Sequence, residues 1–322
     1  MSRAATPSRR RTRAATPSRR RTRAATPSRR RTRAALGFLT PFLALYAAFF
    51  VLPIGYALYQ SLLTTVRTGP LGMGGAERVF AGLSNYQAAL GDQAFLDSLV
   101  RVAIFGVVQV PVMIGLATVL ALVLDSASAR GVRFFRSSYF LPYGVPGVIA
   151  SILWGFLYTP GVSPIVDVLG SIGVEVSFLD GGSVLWSILN IVTWQFAGYN
   201  VLIIVAQLNS IDRDLYEAAR IDGANAWHLV RHVKLPLITP ALVLTTVFTI
   251  IGSLQLFAEP LVLRPISNAI SMTYTPNLAA YTQAFVNNNY SLAAAQAVIL
   301  ALVAGVLSFG FLRLVNRKGA DT

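Results

Sequence analysis

Six long apolar runs, at approximately 36–63, 102–124, 137–159, 183–208, 235–258 and 290–312, alternate with short polar connections, and none of the six contains a charged side chain. Each is long enough to cross a hydrocarbon core, which needs ~20 helical residues. Pro41, Pro53, Pro111, Pro146 and Pro240 fall inside these runs. In a water-soluble helix they would argue against the assignment, whereas in a membrane bundle neighbouring helices satisfy the freed backbone groups. Pro53, Pro111 and Pro146 are the expected kink sites. The pattern predicts an all-α integral membrane protein, a bundle of six transmembrane helices.

One stretch breaks the pattern. Tyr216 to Pro236, reading YEAARIDGANAWHLVRHVKLP, is a charged island between the fourth and fifth runs. Ile211 to Asp222 predicts a short helix with Asp212 near its start, where a carboxylate suits the positive helix end. Gly223 allows a tight turn. Ala224 to Val233 predicts a second short helix, which Pro236 should close. Such an elbow has no core in which to bury its small-residue face, so its natural use is to dock a partner.

The island also carries a resemblance. Glu217, Ala218 and Ala219, then Gly223, Val233 and Leu235-Pro236 match the EAA-loop signature of the membrane subunits of ABC importers, with Val233 where Ile is more usual. The longer string LYEAARIDGANAW, Leu215 to Trp227, is similar to the carbohydrate-uptake permeases of the maltose and glycerol-3-phosphate type. GLSNYQAAL, Gly82 to Leu90, resembles a short motif that follows the first span in those permeases. It is expected to form an amphipathic helix on the outer surface, anchored by Tyr86 and Phe95. Arg264-Pro265-Ile266 departs from the Gly-Gly-Pro run often found at that point of the family. No external connection is long enough to hold an inserted domain.

The resemblance implies an ABC importer permease fold over residues 36–322 with a cytoplasmic coupling loop at 212–236. It implies three protein partners as well: an ABC ATPase homodimer docked on that loop, a second permease subunit and an extracytoplasmic solute-binding protein. Glu217, Ala218, Ala219, Gly223, Leu235 and Pro236 are then the ATPase-coupling residues. The alanines permit close approach and Glu217 makes a charge-assisted contact. The plainer reading of Glu217 is a local ion pair with Arg213 or Arg220.

Charge refines the picture. The net charge of +14 is uneven, because thirteen arginines lie in the first 33 residues. Residues 3–32 are three perfect copies of RAATPSRRRT. With no apolar side chain larger than alanine they cannot build a core, so residues 1–35 are read as a disordered basic tail, attracted at most to anionic membrane lipid. The tail lacks aromatics for base stacking, and no nucleic-acid partner is expected. With the amino terminus inside, 23 Lys/Arg lie inside against Arg67, Arg78, Arg101 and Arg264 outside; without the tail the bias is still 10 to 4. The positive-inside rule therefore places both termini and the EAA island in the cytoplasm of a multi-pass bacterial plasma-membrane protein.

The chemistry-bearing residues are few. Cysteine is absent, which excludes disulfides and thiolate metal sites. His228 and His232 are the two histidines, four residues apart, without an evident third ligand. No GxxxxGK[ST] phosphate loop is present, so this chain does not bind and hydrolyse ATP by that route. No catalytic, cofactor or metal residues are expected, and the chain is not read as an enzyme.

A sugar needs flat aromatic faces and hydrogen-bonding side chains. The candidates for its pathway are Asn190, Trp194, Gln195 and Tyr199, joined by Asn200, in the fourth run, and Gln255 and Glu259, joined by Ser253, in the fifth. Tyr143 or Trp154 would contribute from the third. Asn190 and Trp194 share a helix face, and Gln255 and Glu259 are expected at i, i+4 on one helix. The plainer reading of these groups is hydrogen bonding between helices. A polyol or glycerol-3-phosphate importer is the nearest alternative function. A stand-alone ion-coupled transporter is the next, opposed by the near absence of ionisable residues in the runs.

Overall fold

The computed structural model describes residues 29–67, 75–126 and 130–320. Two compact units divide the chain at Pro53. In the first, helix α1 (Arg29–Tyr46) passes through a π-helical turn at Ala47–Val51 into the start of α2 (Leu52–Ser61). Helix thus begins inside the basic repeat, seven residues before the apolar run. Arg and Ala are good helix formers, and a nucleated helix extends cheaply at its end. The first 28 residues, most of the expected tail, lie outside the described residues. Side chains from Leu36 to Val51 are all exposed.

The second unit opens with an antiparallel hairpin, β1 (Leu63–Arg67) and β2 (Ala76–Phe80), in the register Leu63↔Phe80 to Arg67↔Ala76. Its elements then run α3 (Ser84–Gly91), α4 (Gln93–Leu124), α5 (Val132–Phe140), α6 (Gly147–Tyr158), α7 (Pro164–Ser171), α8 (Val184–Leu208), α9 (Arg213–Ile221), α10 (Ala226–His228), α11 (Leu235–Leu254), α12 (Ala258–Leu263), α13 (Pro276–Tyr281) and α14 (Tyr290–Ala320). Five helical stretches of the described chain are long and apolar enough to cross a bilayer: Leu36–Ser61, Gln93–Leu124, Val184–Asn209, Ala226–Ile266 and Tyr290–Val315.

The third run does not form one straight helix. Val132–Gly144 and Gly147–Tyr158 meet at 98°. Pro142 and Pro146 remove backbone donors and restrict the residues before them, so α5 ends in a 3-10 turn at Leu141–Gly144 and α6 starts afresh after Pro146. The expected third span is therefore a bent pair.

Helix packing centres on α4, α8 and α11. Ala117 and Ala121 of α4 meet Val201, Ile204, Val205 and Leu208 of α8 and Ile238 of α11 in one buried cluster. Lipid gives no hydrophobic drive for helices to associate, so small residues that permit close approach matter here. Gly198 of α8 is the extreme case, lying directly against the backbone of Tyr139 in α5. A second cluster joins Ala150 and Tyr158 of α6 to Val184, Ile188 and Ile191 of α8 and Leu263 of α12.

The GLSNYQAAL helix is not a free surface helix. Phe95 is fully buried with Ala89, Ala279 and Ile299, and the Tyr86 hydroxyl lies 2.6 Å from Ser61 Oγ. The apolar face that sequence assigns to the membrane surface is spent on α13 and α14. The second span also starts earlier than its apolar run, at Gln93. Arg101 thus sits on α4, donating to the Tyr274 carbonyl at 2.8 Å with its guanidinium 4.5 Å from that ring.

Candidate coupling loop and cavity

The charged island folds as an elbow. Asp212 caps α9 by accepting from the Asp214 N–H at 3.2 Å. Gly223 follows at φ +83°, a backbone region that side-chain-bearing residues rarely adopt. The Asn225 side chain caps α10, accepting from the His228 N–H at 2.9 Å. Beyond α10 the expected closure at Pro236 does not occur. Leu229–Lys234 winds as π-helix straight into α11, with Leu235 N–H bonding to Val230 O. The wider turn accommodates a residue that has no N–H and whose ring would clash in a tight helix. Leu235 and Pro236 thus form the first turn of α11.

Glu217 and Ala218 are exposed on α9, and Ala219 is half-buried. Ile221 and Trp227 are 85% and 65% exposed, large apolar groups on a charged loop. Glu217 makes no ion pair with Arg213 or Arg220; the one ion pair among the described residues is Lys234 to Asp125. His228 and His232 stack at 5.5 Å between ring centroids and bond locally. Sequence reasoning passed over Asp125 and Tyr216, whose side chains meet Lys234; nothing in the local sequence pairs positions 109 residues apart.

The pathway candidates separate into two groups. Tyr199, Gln255 and Glu259 line one cavity of about 470 Å³ between α8 and α11, together with Tyr143, Asn200 and Ser253. Phe196, Phe248 and Phe257, which sequence reasoning did not single out, complete an aromatic wall. Tyr143 and Tyr199 stack with centroids 5.0 Å apart. The buried Asn200 Oδ1 has no partner, and no Lys or Arg lines this cavity. Gln255 and Glu259 do not share one helix. The helix is interrupted at Gln255–Phe257, between the end of α11 and the start of α12, where Pro260 has no N–H to donate back to Leu256.

Asn190, Trp194 and Gln195 instead join α8 to the bent pair. Asn190 Nδ2 donates to Tyr158 Oη at 2.8 Å, and Tyr158 donates on to the Ser187 carbonyl. Trp194 packs edge-on against Trp154 with centroids 5.9 Å apart. Gln195 Nε2 donates to the Val145 carbonyl at 2.9 Å, satisfying a group freed by the Pro146 break.

The profile of the family described as "Binding-protein-dependent transport system inner membrane component" matches residues 87–319. The sn-glycerol-3-phosphate transport system permease protein UgpA of Agrobacterium fabrum is 31% identical over 86% of this chain and 93% of its own. The chain belongs to that family. This inner membrane component is similar as well to the lactose transport system permease protein LacF of Rhizobium radiobacter, 32% identical over 84% of the chain and 90% of LacF. Its fold is that of a chain in a bacterial ABC transporter involved in alginate import, at TM-score 0.76 and 19% identity over 89% of this chain and 96% of that one. Membership makes it a multi-pass transport permease of the carbohydrate ABC importer type rather than a catalyst, as the EAA-loop resemblance implied.

Proposed function

We propose that this permease is one of two membrane subunits of an ATP-driven importer that receives a neutral sugar from an extracytoplasmic binding protein. The observation that carries the reading is the exposed elbow of α9, Gly223 and α10, bearing Glu217, Ala218 and Ala219 beside the apolar Ile221 and Trp227. In this reading α9 seats in one subunit of an ATPase homodimer. Glu217 meets a basic group there, Gly223 fixes the angle of the elbow, and Leu235-Pro236 carries its movement into α11. Both termini and the elbow are cytoplasmic, as the Lys/Arg bias requires.

Sugar passes through the cavity of Tyr199, Gln255 and Glu259, where aromatic faces cover its C–H surfaces and amide and carboxyl groups meet its hydroxyls. The relatives include permeases named for lactose and for glycerol-3-phosphate. A phosphate ester would call for a cationic lining, and the cavity wall contains Glu259 and no Lys or Arg, which favours the neutral cargo.

Purification after gentle solubilisation tests the assembly: an ATPase and a second permease should accompany this chain, and its recovery alone would contradict the reading. Uptake in vesicles of the whole system tests the cargo. Labelled lactose and labelled glycerol-3-phosphate serve as neutral and anionic probes, and preference for the phosphate would overturn the assignment of a neutral sugar.

A further inference from the structure

We propose that Lys234, Asp125 and Tyr216 form a charged corner that makes α9 move as one piece with the inner ends of α4 and α11. The proposal rests on α9 being the helix that docks the ATPase. Each residue comes from a different element. Asp125 is the C-cap of α4, Tyr216 lies in the middle of α9, and Lys234 is the last residue before α11. Lys234 Nζ is 2.6 Å from Asp125 Oδ2, with the two side chains 13% and 18% exposed. The same ammonium lies 5.4 Å from the centre of the Tyr216 ring. One cation thus serves two partners, a carboxylate through a charge-assisted hydrogen bond and an aromatic face through its quadrupole. Limited water access keeps both contacts strong.

The burial pattern of α9 shows why this corner matters. Arg213, Asp214, Leu215, Glu217, Ala218 and Arg220 are exposed, while Tyr216 and Ala219 turn inward. Tyr216 is therefore the large side chain through which α9 is held to the bundle. Its hydroxyl is buried without a hydrogen-bond partner, and Lys234 Nζ lies over its ring. Ion pairs of limited exposure add little net stability; their best-attested use is to select one arrangement over others. A helix attached only at its chain ends would rock without moving the spans. Clamped at its midpoint to α4 and α11, it passes displacement to both.

The sequence has no cysteine, so spin-label pairs can be placed cleanly in the complex with its ATPase and partner permease. One pair, Arg213→Cys with Val119→Cys, reads the distance from α9 to α4. A second, Val119→Cys with Leu302→Cys, reads movement between α4 and α14. In the parent the first pair should give one narrow distance that survives trapping with ATP and vanadate, while the second should shift. Lys234→Met and Asp125→Asn should each lose the narrow peak and the shift. Lys234→Arg, which keeps a cation beside Asp125 and over the Tyr216 ring, should keep both. Co-purification of the ATPase is scored in the same preparations, so failure of docking is seen separately from failure of the corner. The proposal is overturned if Lys234→Met and Asp125→Asn keep the parent's narrow peak and shift, or if Lys234→Arg loses them, in complexes that retain the ATPase.

Discussion

Gly198 lies so close to Tyr139 that a Cβ added to it would stand 1.8 Å from the Tyr139 carbonyl oxygen and 2.9 Å from the Cα of Phe140. Both obstacles are backbone, so no rotamer change relieves the clash. Gly198→Ala should destabilise the bundle by about 3 kcal/mol or more through forced separation of α5 and α8. Gly115→Ala, where nothing lies within 4 Å, should be neutral or slightly stabilising. Thermal unfolding of the two variants in one detergent checks the contrast, and equal losses would refute the close-approach account.

Replacing Glu217 or Gly223 should uncouple the importer while leaving the chain in the membrane. Gly223 has φ +83°, and any other residue there reshapes the elbow at a cost of about 1 kcal/mol. Glu217→Ala and Gly223→Val should each weaken capture of the ATPase about tenfold, a difference of ~1.4 kcal/mol. Quantifying ATPase recovered per permease tests this. Unchanged capture together with unchanged uptake by both variants would count against the coupling role.

The two groups of polar residues should respond differently to substitution. Tyr199→Ala removes a stacked ring from the cavity wall. It should lower lactose uptake about tenfold, as expected for loss of ~1–1.5 kcal/mol of aromatic contact. Asn190→Ala removes the bond to Tyr158. It should cost about 1 kcal/mol of stability with uptake per folded molecule unchanged. A reversed pattern would move the pathway to the α6–α8 contact.

An alkaline limb should appear in the stability of the connection between α12 and α13. Burial pushes the Tyr274 phenol above its ordinary value of 10.0, and the nearby Arg101 cation only partly opposes this. The folded state thus holds the proton more tightly than the unfolded state does. That contribution is complete below the unfolded value and lost as pH rises through the higher folded one. Melting temperature in detergent should fall over that range, and Tyr274→Phe should flatten the fall.

Much of this architecture is legible in the chain because its solvent is lipid. Charge-free runs of more than twenty residues have few structural options, which is why five spans lie near their expected places. Asp212 and Gly223 announce the elbow through local rules of capping and positive φ. Local rules fail where the outcome is tertiary. Pro146 signals a kink but not a 98° bend, whose carbonyl at Val145 is satisfied by Gln195, fifty residues away. The 63–67 and 76–80 hairpin carries a weak β-branched signal in Thr64, Thr65 and Val66, easily lost beside the membrane pattern. Helical spacing alone could not sort Tyr199 from Asn190, because α8 is enclosed on several sides and each face meets a different neighbour.

The most direct test of the account is a cross-link from the elbow. In this cysteine-free chain, Ala218→Cys, exposed on α9, in inverted membrane vesicles bearing the whole system should form a covalent adduct with the ATPase through a maleimide that carries a photoreactive group. Val119→Cys, exposed on a membrane span, should form none. An adduct specific to position 218 is the predicted result. Modification of Ala218→Cys only from the opposite face of the membrane, with no ATPase adduct in actively transporting vesicles, would contradict it.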